Sequence, residues 1–150
     1  EEWKKIFDIA DATHRYMGNA MLLALVTGQR LGDISRMKFS DIWDDHLHVI
    51  QEKTGSKIAI PLSLRLNAIN WSLRDVVANT LTMNFSKARD LARIDWGEGS
   101  PATFHEQRSL SERLYKEQGL DTQKLLGHKT QQQTDRYHDD RGKGWSKVAL

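Results

Sequence analysis

Six polar residues spread along the chain are of the types that phosphate chemistry needs: Arg30, Lys53, His105, Arg108, His128 and Tyr137. The two arginines, the lysine and the two histidines make an anion site, and a tyrosine beside them is a nucleophile that works without a metal. A guanidinium is planar, permanently charged and matches phosphate oxygens in pairs. Two of them could hold one phosphodiester and stabilise the extra negative charge of its transition state. The chemistry indicated is phosphoryl transfer to the tyrosine hydroxyl.

Taken singly, each residue has an ordinary explanation. Arg30, Lys53 and Arg108 read as surface charges, and His105 or His128 as a histidine at a helix end. His14, His46, His48 and His138 are read as structural or solvent-facing. Tyr137 could simply pack its ring, as Tyr16 and Tyr115 are expected to, although Asp135-Arg136-Tyr137-His138-Asp139-Asp140 is a polar setting for a core aromatic. A histidine pair could also hold a metal. No His-Glu-x-x-His pattern or carboxylate cluster at ligand spacing accompanies these two.

The surrounding strings decide between the readings. Arg30 and Asp33 lie in Thr27-Gly28-Gln29-Arg30-Leu31-Gly32-Asp33-Ile34, and Lys53 in Glu52-Lys53-Thr54-Gly55. His105 and Arg108 lie in Thr103-Phe104-His105-Glu106-Gln107-Arg108-Ser109, His128 in Leu125-Leu126-Gly127-His128-Lys129, and Tyr137 in Thr134-Asp135-Arg136-Tyr137. Together they resemble the catalytic domain of the tyrosine recombinases, most closely the lambda-like phage and prophage integrases, whose order is Arg, Lys, His-x-x-Arg, His, Tyr. All six positions are filled in that order, from about Glu1 to the tail near Leu150. Agreement of several spaced motifs is specific where His-x-x-Arg alone would be nearly worthless.

The resemblance implies a mainly α domain with a small antiparallel β-sheet that cleaves and rejoins DNA through a 3′-phosphotyrosyl intermediate, with no ATP, metal or other cofactor. Tyr137 would attack and expel a 5′-hydroxyl. Arg30, Arg108 and His128 would hold the non-bridging oxygens, Lys53 would protonate the leaving 5′-oxygen, and His105 is the candidate base for the tyrosine proton. Asp33, three residues past Arg30, would orient its guanidinium. The implied partner is double-stranded DNA, bound by a homotetramer on synapsed sites; without DNA the protein is expected to be a monomer, and DNA-bending accessory proteins but no membrane are implied. The implied setting is the bacterial cytoplasm, and the implied role is integration and excision of a phage or prophage. A chromosome-resolving or transposon recombinase, a noncatalytic DNA-binding module and a metal-dependent nuclease are the alternatives.

These residues need elements to position them. Trp3, Ile6, Phe7 and Ala10 recur at helical spacing, and Met21 to Val26 predict a more buried second helix ending at Gly28, after which Arg30 starts a short third one. His46 to Ile50 and Lys57 to Leu62 read as strands, Ile58 and Ile60 alternating against Lys57 and Ala59, with a hairpin turn at Lys53-Thr54-Gly55-Ser56 that puts Lys53 at a mobile tip. Helices are expected over Leu66 to Ala78 and Leu81 to Arg93. Thr103 and Glu106 form a capping-box pattern for a helix to about Gln118, stopped by Gly119 and carrying His105 and Arg108 on one face near its positive end. Thr122 to Leu126 predicts a short helix before His128, Tyr137 falls on a helix from near Thr130, and Trp145 to Leu150 reads as a final strand.

Composition agrees without leading anywhere by itself. A chain of 150 residues with 39% hydrophobic residues suits one domain with a sizeable core. There is no cysteine, hence no disulfide framework and no thiolate zinc site. No apolar run spans a membrane, and Glu1-Glu2-Trp3-Lys4-Lys5 is not a secretory signal. A net charge of +2 and a pI near 8.9 permit DNA binding through a local basic surface. The chain departs from the lambda-like pattern in two ways. The junction at 78–80 is short, reading either as a deletion or, preferably, as a DNA-adjacent loop left out of this chain. The N-terminal core-binding and arm-binding domains of such enzymes are also absent.

Overall fold

A computed structural model describes residues 1–61, 78–120, 122–126 and 145–148. Helix α1 (Glu2–Thr13) and helix α2 (Arg15–Thr27) meet at His14, whose extended backbone breaks the helical run. Helix α1 buries Ile6 and Ala10, as its spacing predicts, whereas α2 buries residues around most of its circumference. Gly28 ends α2 in the left-handed conformation at φ 66°, where a Cβ is disfavoured, and its N–H bonds the Ala24 carbonyl at 2.9 Å. The turn brings Arg30 to the N-cap of the short α3 (Leu31–Ser35).

A single 3₁₀ turn (Phe39–Asp41) leads into β1 (Ile42–Trp43), β2 (His46–Ile50) and β3 (Lys57–Pro61). Strand β1 was not apparent from sequence. Its two-residue turn to β2 is Asp44-Asp45, both at positive φ (51° and 55°), a hairpin geometry that usually announces itself through Asn-Gly or Asp-Gly. Strands β2 and β3 pair antiparallel, Leu47 opposite Ile60 and Val49 opposite Ile58, and these four side chains face the core. Ala59 does not alternate outward as its spacing suggested. It is fully buried, because the opposite face of the sheet is also covered: Trp43 stacks on His48, with ring centroids 3.5 Å apart, and Trp145 meets His48 edge-on at 4.8 Å.

Strand β4 (Ser146–Lys147) is the tail strand that the sequence predicts, and it pairs parallel to β3. The sheet, in the order β1-β2-β3-β4, is therefore mixed rather than wholly antiparallel. The Val148 N–H extends the pairing to the Ala59 carbonyl at 3.0 Å, and its side chain enters the core.

Helix α4 (Ala78–Leu91) packs on α1 and contributes Leu81 and Phe85 to the core, with Phe85 edge-on to Phe104. Helix α5 (Glu106–Glu117) packs on α2, where the Tyr115 hydroxyl donates to the Val26 carbonyl at 2.5 Å. It ends before Gly119, at φ 78°. The short α6 (Gln123–Leu126) touches β3. No helix among the described residues is long and apolar enough to cross a membrane. The helix expected over Leu66 to Ala78 lies, but for Ala78, outside the described residues, as does the one expected from near Thr130.

Candidate active site

The start of α5 differs from its expected form and thereby sets the site. Thr103 and Glu106 make no capping box. Instead the amides of Glu106, Gln107 and Arg108 bond the carbonyls of Thr103, Phe104 and His105, each three residues back, at 3.2, 3.2 and 3.0 Å. The chain is thus already wound tightly before the helix proper, and His105 occupies the N-cap with helical dihedrals and no side-chain cap bond. This leaves its imidazole available for chemistry rather than for capping.

Arg108, one turn on, is 8% exposed and points inward. Its Nη1 donates to the Gly28 carbonyl at 3.1 Å and its Nη2 to the Leu126 carbonyl at 2.5 Å, joining the α2–α3 turn to the end of α6. Burial, and next the charge of Arg30, bring its pKa down to about 10, so it remains a cation at neutral pH. The same charges converge on His105. Partial burial comes first, followed by Arg108, Arg30 and Lys53, and together they lower its pKa below the ordinary 6.5. Three of the six residues singled out in the sequence thus bear on a fourth, His105, from three elements far apart in the chain. His128 and Tyr137 lie outside the described residues.

Lys53 is exposed on the β2–β3 turn. Its base is bonded on several sides, contrary to the expectation of a mobile tip. Gln51 N–H donates to the Ser56 carbonyl at 2.9 Å, and Gly55 N–H, at φ 69°, to the Gln51 carbonyl at 2.8 Å. Asp33 adds a further tie, and here the expected role is corrected. Its carboxylate, 3% exposed, accepts from Arg36 Nη2 at 2.6 Å and from the Glu52 amide at 3.1 Å, while Arg36 also reaches Glu52 Oε2 at 2.8 Å. Among the described residues Asp33 therefore secures the turn beside Lys53. Arg30 instead donates through Nη1 to Gln51 Oε1, at a long 3.5 Å. The spacing of three that seemed to join Asp33 to Arg30 joins it forward to Arg36.

Gln51 escaped the sequence reading although it left a trace. Leu47, Val49 and Gln51 alternate onto one face of β2 and its extension, so a polar side chain falls where the pattern calls for an apolar one. Gln29 is buried beside it and accepts from Gln51 Nε2 at 2.7 Å. Among the described residues, no group of three or more histidines and carboxylates could hold a metal ion.

This arrangement, a mixed sheet flanked by helices with a cluster of cations at the junction of α3, the β2–β3 turn and α5, defines a class. The chain belongs to the phage integrase family, whose model matches residues 1–82. It is 84% identical over 179 positions to the prophage integrase IntE of Escherichia coli (strain K12), covering 100% of this chain and 48% of that protein. To the integrase of Escherichia phage lambda it is 39% identical over 174 positions, covering 100% of this chain and 49% of the relative. Among solved structures, the lambda integrase catalytic core superposes with a TM-score of 0.80 at 38% identity, covering 99% of this chain and 96% of that one. A lambda integrase tetramer bound to a Holliday junction matches with a TM-score of 0.74 at 38% identity, over 92% of this chain and 48% of that one. The chain spans about half the length of the curated relatives it matches.

Proposed function

We propose that this chain is the catalytic domain of a site-specific DNA recombinase that cleaves and rejoins duplex DNA through a 3′-phosphotyrosyl intermediate, in the integration and excision of a prophage. The observation that carries the reading is the convergence of Arg30, Lys53 and Arg108 on His105 in a member of the phage integrase family. Clustering cations is unfavourable in isolation even though Asp33 and Glu112 offset part of the charge at Arg108, and an anionic ligand offsets more of that cost.

In this mechanism Arg30 and Arg108 hold the non-bridging oxygens of the scissile phosphate together with His128. Tyr137 attacks phosphorus, forming the 3′-phosphotyrosyl bond as the bond to the 5′-oxygen breaks. His105, kept neutral near pH 7 by its depressed pKa, accepts the phenolic proton. Lys53 delivers a proton to the departing 5′-oxygen. A 5′-hydroxyl from the partner duplex reverses the step, so the bond energy is kept and no ATP is used. The solved lambda relatives include a dimer bound to a core site and a tetramer bound to a Holliday junction. By that likeness the assembly on paired sites is a homotetramer. The same reading makes the protein a monomer without DNA that works in the bacterial cytoplasm with the help of DNA-bending proteins. Domains for core and arm sites would lie N-terminal to this one.

We also place the residues that IntE has and this chain lacks at the 78–80 junction. The alignment runs over 179 positions against a chain of 150 residues, and the family model's match stops at residue 82.

The test is covalent trapping on a nicked suicide substrate in EDTA. Adducts are expected from the native chain and none from Tyr137→Phe, whose DNA affinity should be nearly unchanged. Adducts that persist in Tyr137→Phe would exclude Tyr137 as nucleophile. Cleavage that disappears in EDTA would mean a metal-dependent nuclease, and DNA binding without cleavage a noncatalytic module.

A further inference from the structure

We infer that Gln51 is the positioning residue of the catalytic pocket, holding the Lys53 turn, Arg30 and the end of α6 in one arrangement. The inference rests on the recombinase reading for its catalytic consequence and on hydrogen-bond geometry for its structural one. Gln51 is 0% exposed. Its side-chain Oε1 accepts from Thr54 Oγ1 at 2.7 Å and from Arg30 Nη1 at 3.5 Å, and its Nε2 donates to Gln29 Oε1 at 2.7 Å and to the Leu126 carbonyl at 3.1 Å. An amide side chain offers two donor hydrogens and two acceptor lone pairs, and here all four are used. With the main-chain bonds to Ser56 and Gly55, every polar group of the residue is engaged.

The partners are what give this amide its significance. Thr54 adjoins Lys53 in the turn, Arg30 occupies the N-cap position of α3, and Leu126 ends α6, two residues before His128 in sequence. The Leu126 carbonyl also receives Arg108. One buried group therefore touches, directly or through one intermediary, the supports of three expected phosphate ligands and of the expected general acid. A fully satisfied buried network specifies one geometry, because any displacement leaves a desolvated donor or acceptor without a partner. Catalysis by such a pocket depends on geometry held to a fraction of an ångström.

Gln51→Met keeps the length and volume of the side chain and removes all four bonds, while Gln51→Glu keeps the acceptors for Thr54 and Arg30 and removes the donors to Gln29 and Leu126. Amide hydrogen exchange on the 150-residue chain reads the structural tie. Met should accelerate exchange about tenfold or more at both Gly55 and Leu126 while β2 and β3 stay protected, and Glu should do so at Leu126 alone. Unaltered protection at both sites in Gln51→Met would overturn the tie.

Suicide-substrate cleavage reads the catalytic consequence. Met should slow adduct formation at saturating DNA by about tenfold or more, with DNA affinity changed by less than about threefold, and a 5′-bridging phosphorothiolate should recover part of the loss. A purely structural lesion would instead lower affinity and both substrates' rates together, and equal rates for Gln51→Met and the native chain would also overturn the positioning role. Absence of adducts from the native chain would count against the recombinase reading and the catalytic half of this inference, leaving the exchange result to decide the tie.

Discussion

Arg108 and Gln51 donate to the same oxygen: the Leu126 carbonyl receives Arg108 Nη2 at 2.5 Å and Gln51 Nε2 at 3.1 Å. A carbonyl oxygen has two lone pairs, so the last residue of α6 is saturated by groups from α5 and from the base of the β2–β3 turn. Arg108 is thus both a candidate phosphate ligand and a clamp. Two of its five N–H donors bond Gly28 and Leu126, and a guanidinium has donors left for an anion.

Arg108→Lys should fail in both capacities, because an ammonium cannot span the Gly28 and Leu126 carbonyls in the fixed fork that a guanidinium provides. Denaturant unfolding is expected to show a loss of about 1–3 kcal/mol for the carbonyls left unpaired. Cleavage should fall about a hundredfold or more. Native stability and rate in Arg108→Lys would show that a point charge is sufficient there.

His105 should titrate below 6.5, since burial and the fields of Arg108, Arg30 and Lys53 all disfavour its cation. Its neutral form is the one that accepts a proton, so cleavage should be constant above the midpoint and decline as pH falls through it. Lys53→Met removes one repelling charge and should move the midpoint up toward 6.5. NMR titration of the His105 ring in both proteins measures this, and a midpoint unaffected by the substitution would mean that the lysine's field is screened at His105. The linkage has the same sign for stability. The unfolded histidine takes up its proton more readily, so His105 disfavours the folded state as pH falls through 6.5.

Lys53→Ala separates proton donation from simple charge. An ordinary 5′-oxygen leaves as a basic alkoxide unless it is protonated, whereas sulfur in the bridging position leaves readily as a thiolate. Lys53→Ala should cleave a phosphodiester poorly and a 5′-bridging phosphorothiolate well, whereas Arg30→Ala should stay impaired on both. An equally large Lys53 defect on the sulfur substrate would reduce the lysine to electrostatic support.

The tail reports its docking through His48. Burial, partly by Trp43 and Trp145, lowers the His48 pKa. Deleting residues 145–150 should uncover one side of the ring and raise its midpoint toward 6.5. It should also lower cleavage or change the coupling between subunits, if β4 helps to set where Tyr137 lies. Identical His48 titration in the truncated chain would mean that the tail is undocked in solution.

Much of this was legible in the sequence, for identifiable reasons. Helix α1 and strands β2 and β3 follow from side-chain periodicity, and Gly28 and Gly119 mark helix ends because they take positive φ. Of the expected site, Arg30, Lys53, His105 and Arg108 could be picked out by residue type but not by partner, and His128 and Tyr137 lie outside the described residues. Asp33 can reach Arg36 as readily as Arg30 by spacing, and only the fold places Glu52 beside it to favour the former. Parallel pairing of β4 was hidden because a strand of two residues has no period, and its direction is set by the path of the chain. Ala59 read as outward-facing because periodicity cannot show that the second face of a sheet is roofed by two tryptophans.

The shared carbonyl of Leu126 has a consequence for the order in which this corner of the molecule is built. Its two donors, Arg108 and Gln51, lie 18 and 75 residues away in sequence. Loop-closure entropy favours the nearer contact, so the Arg108 bond can form once α5 and α6 meet, and the Gln51 bond completes the junction only when the β2–β3 turn docks.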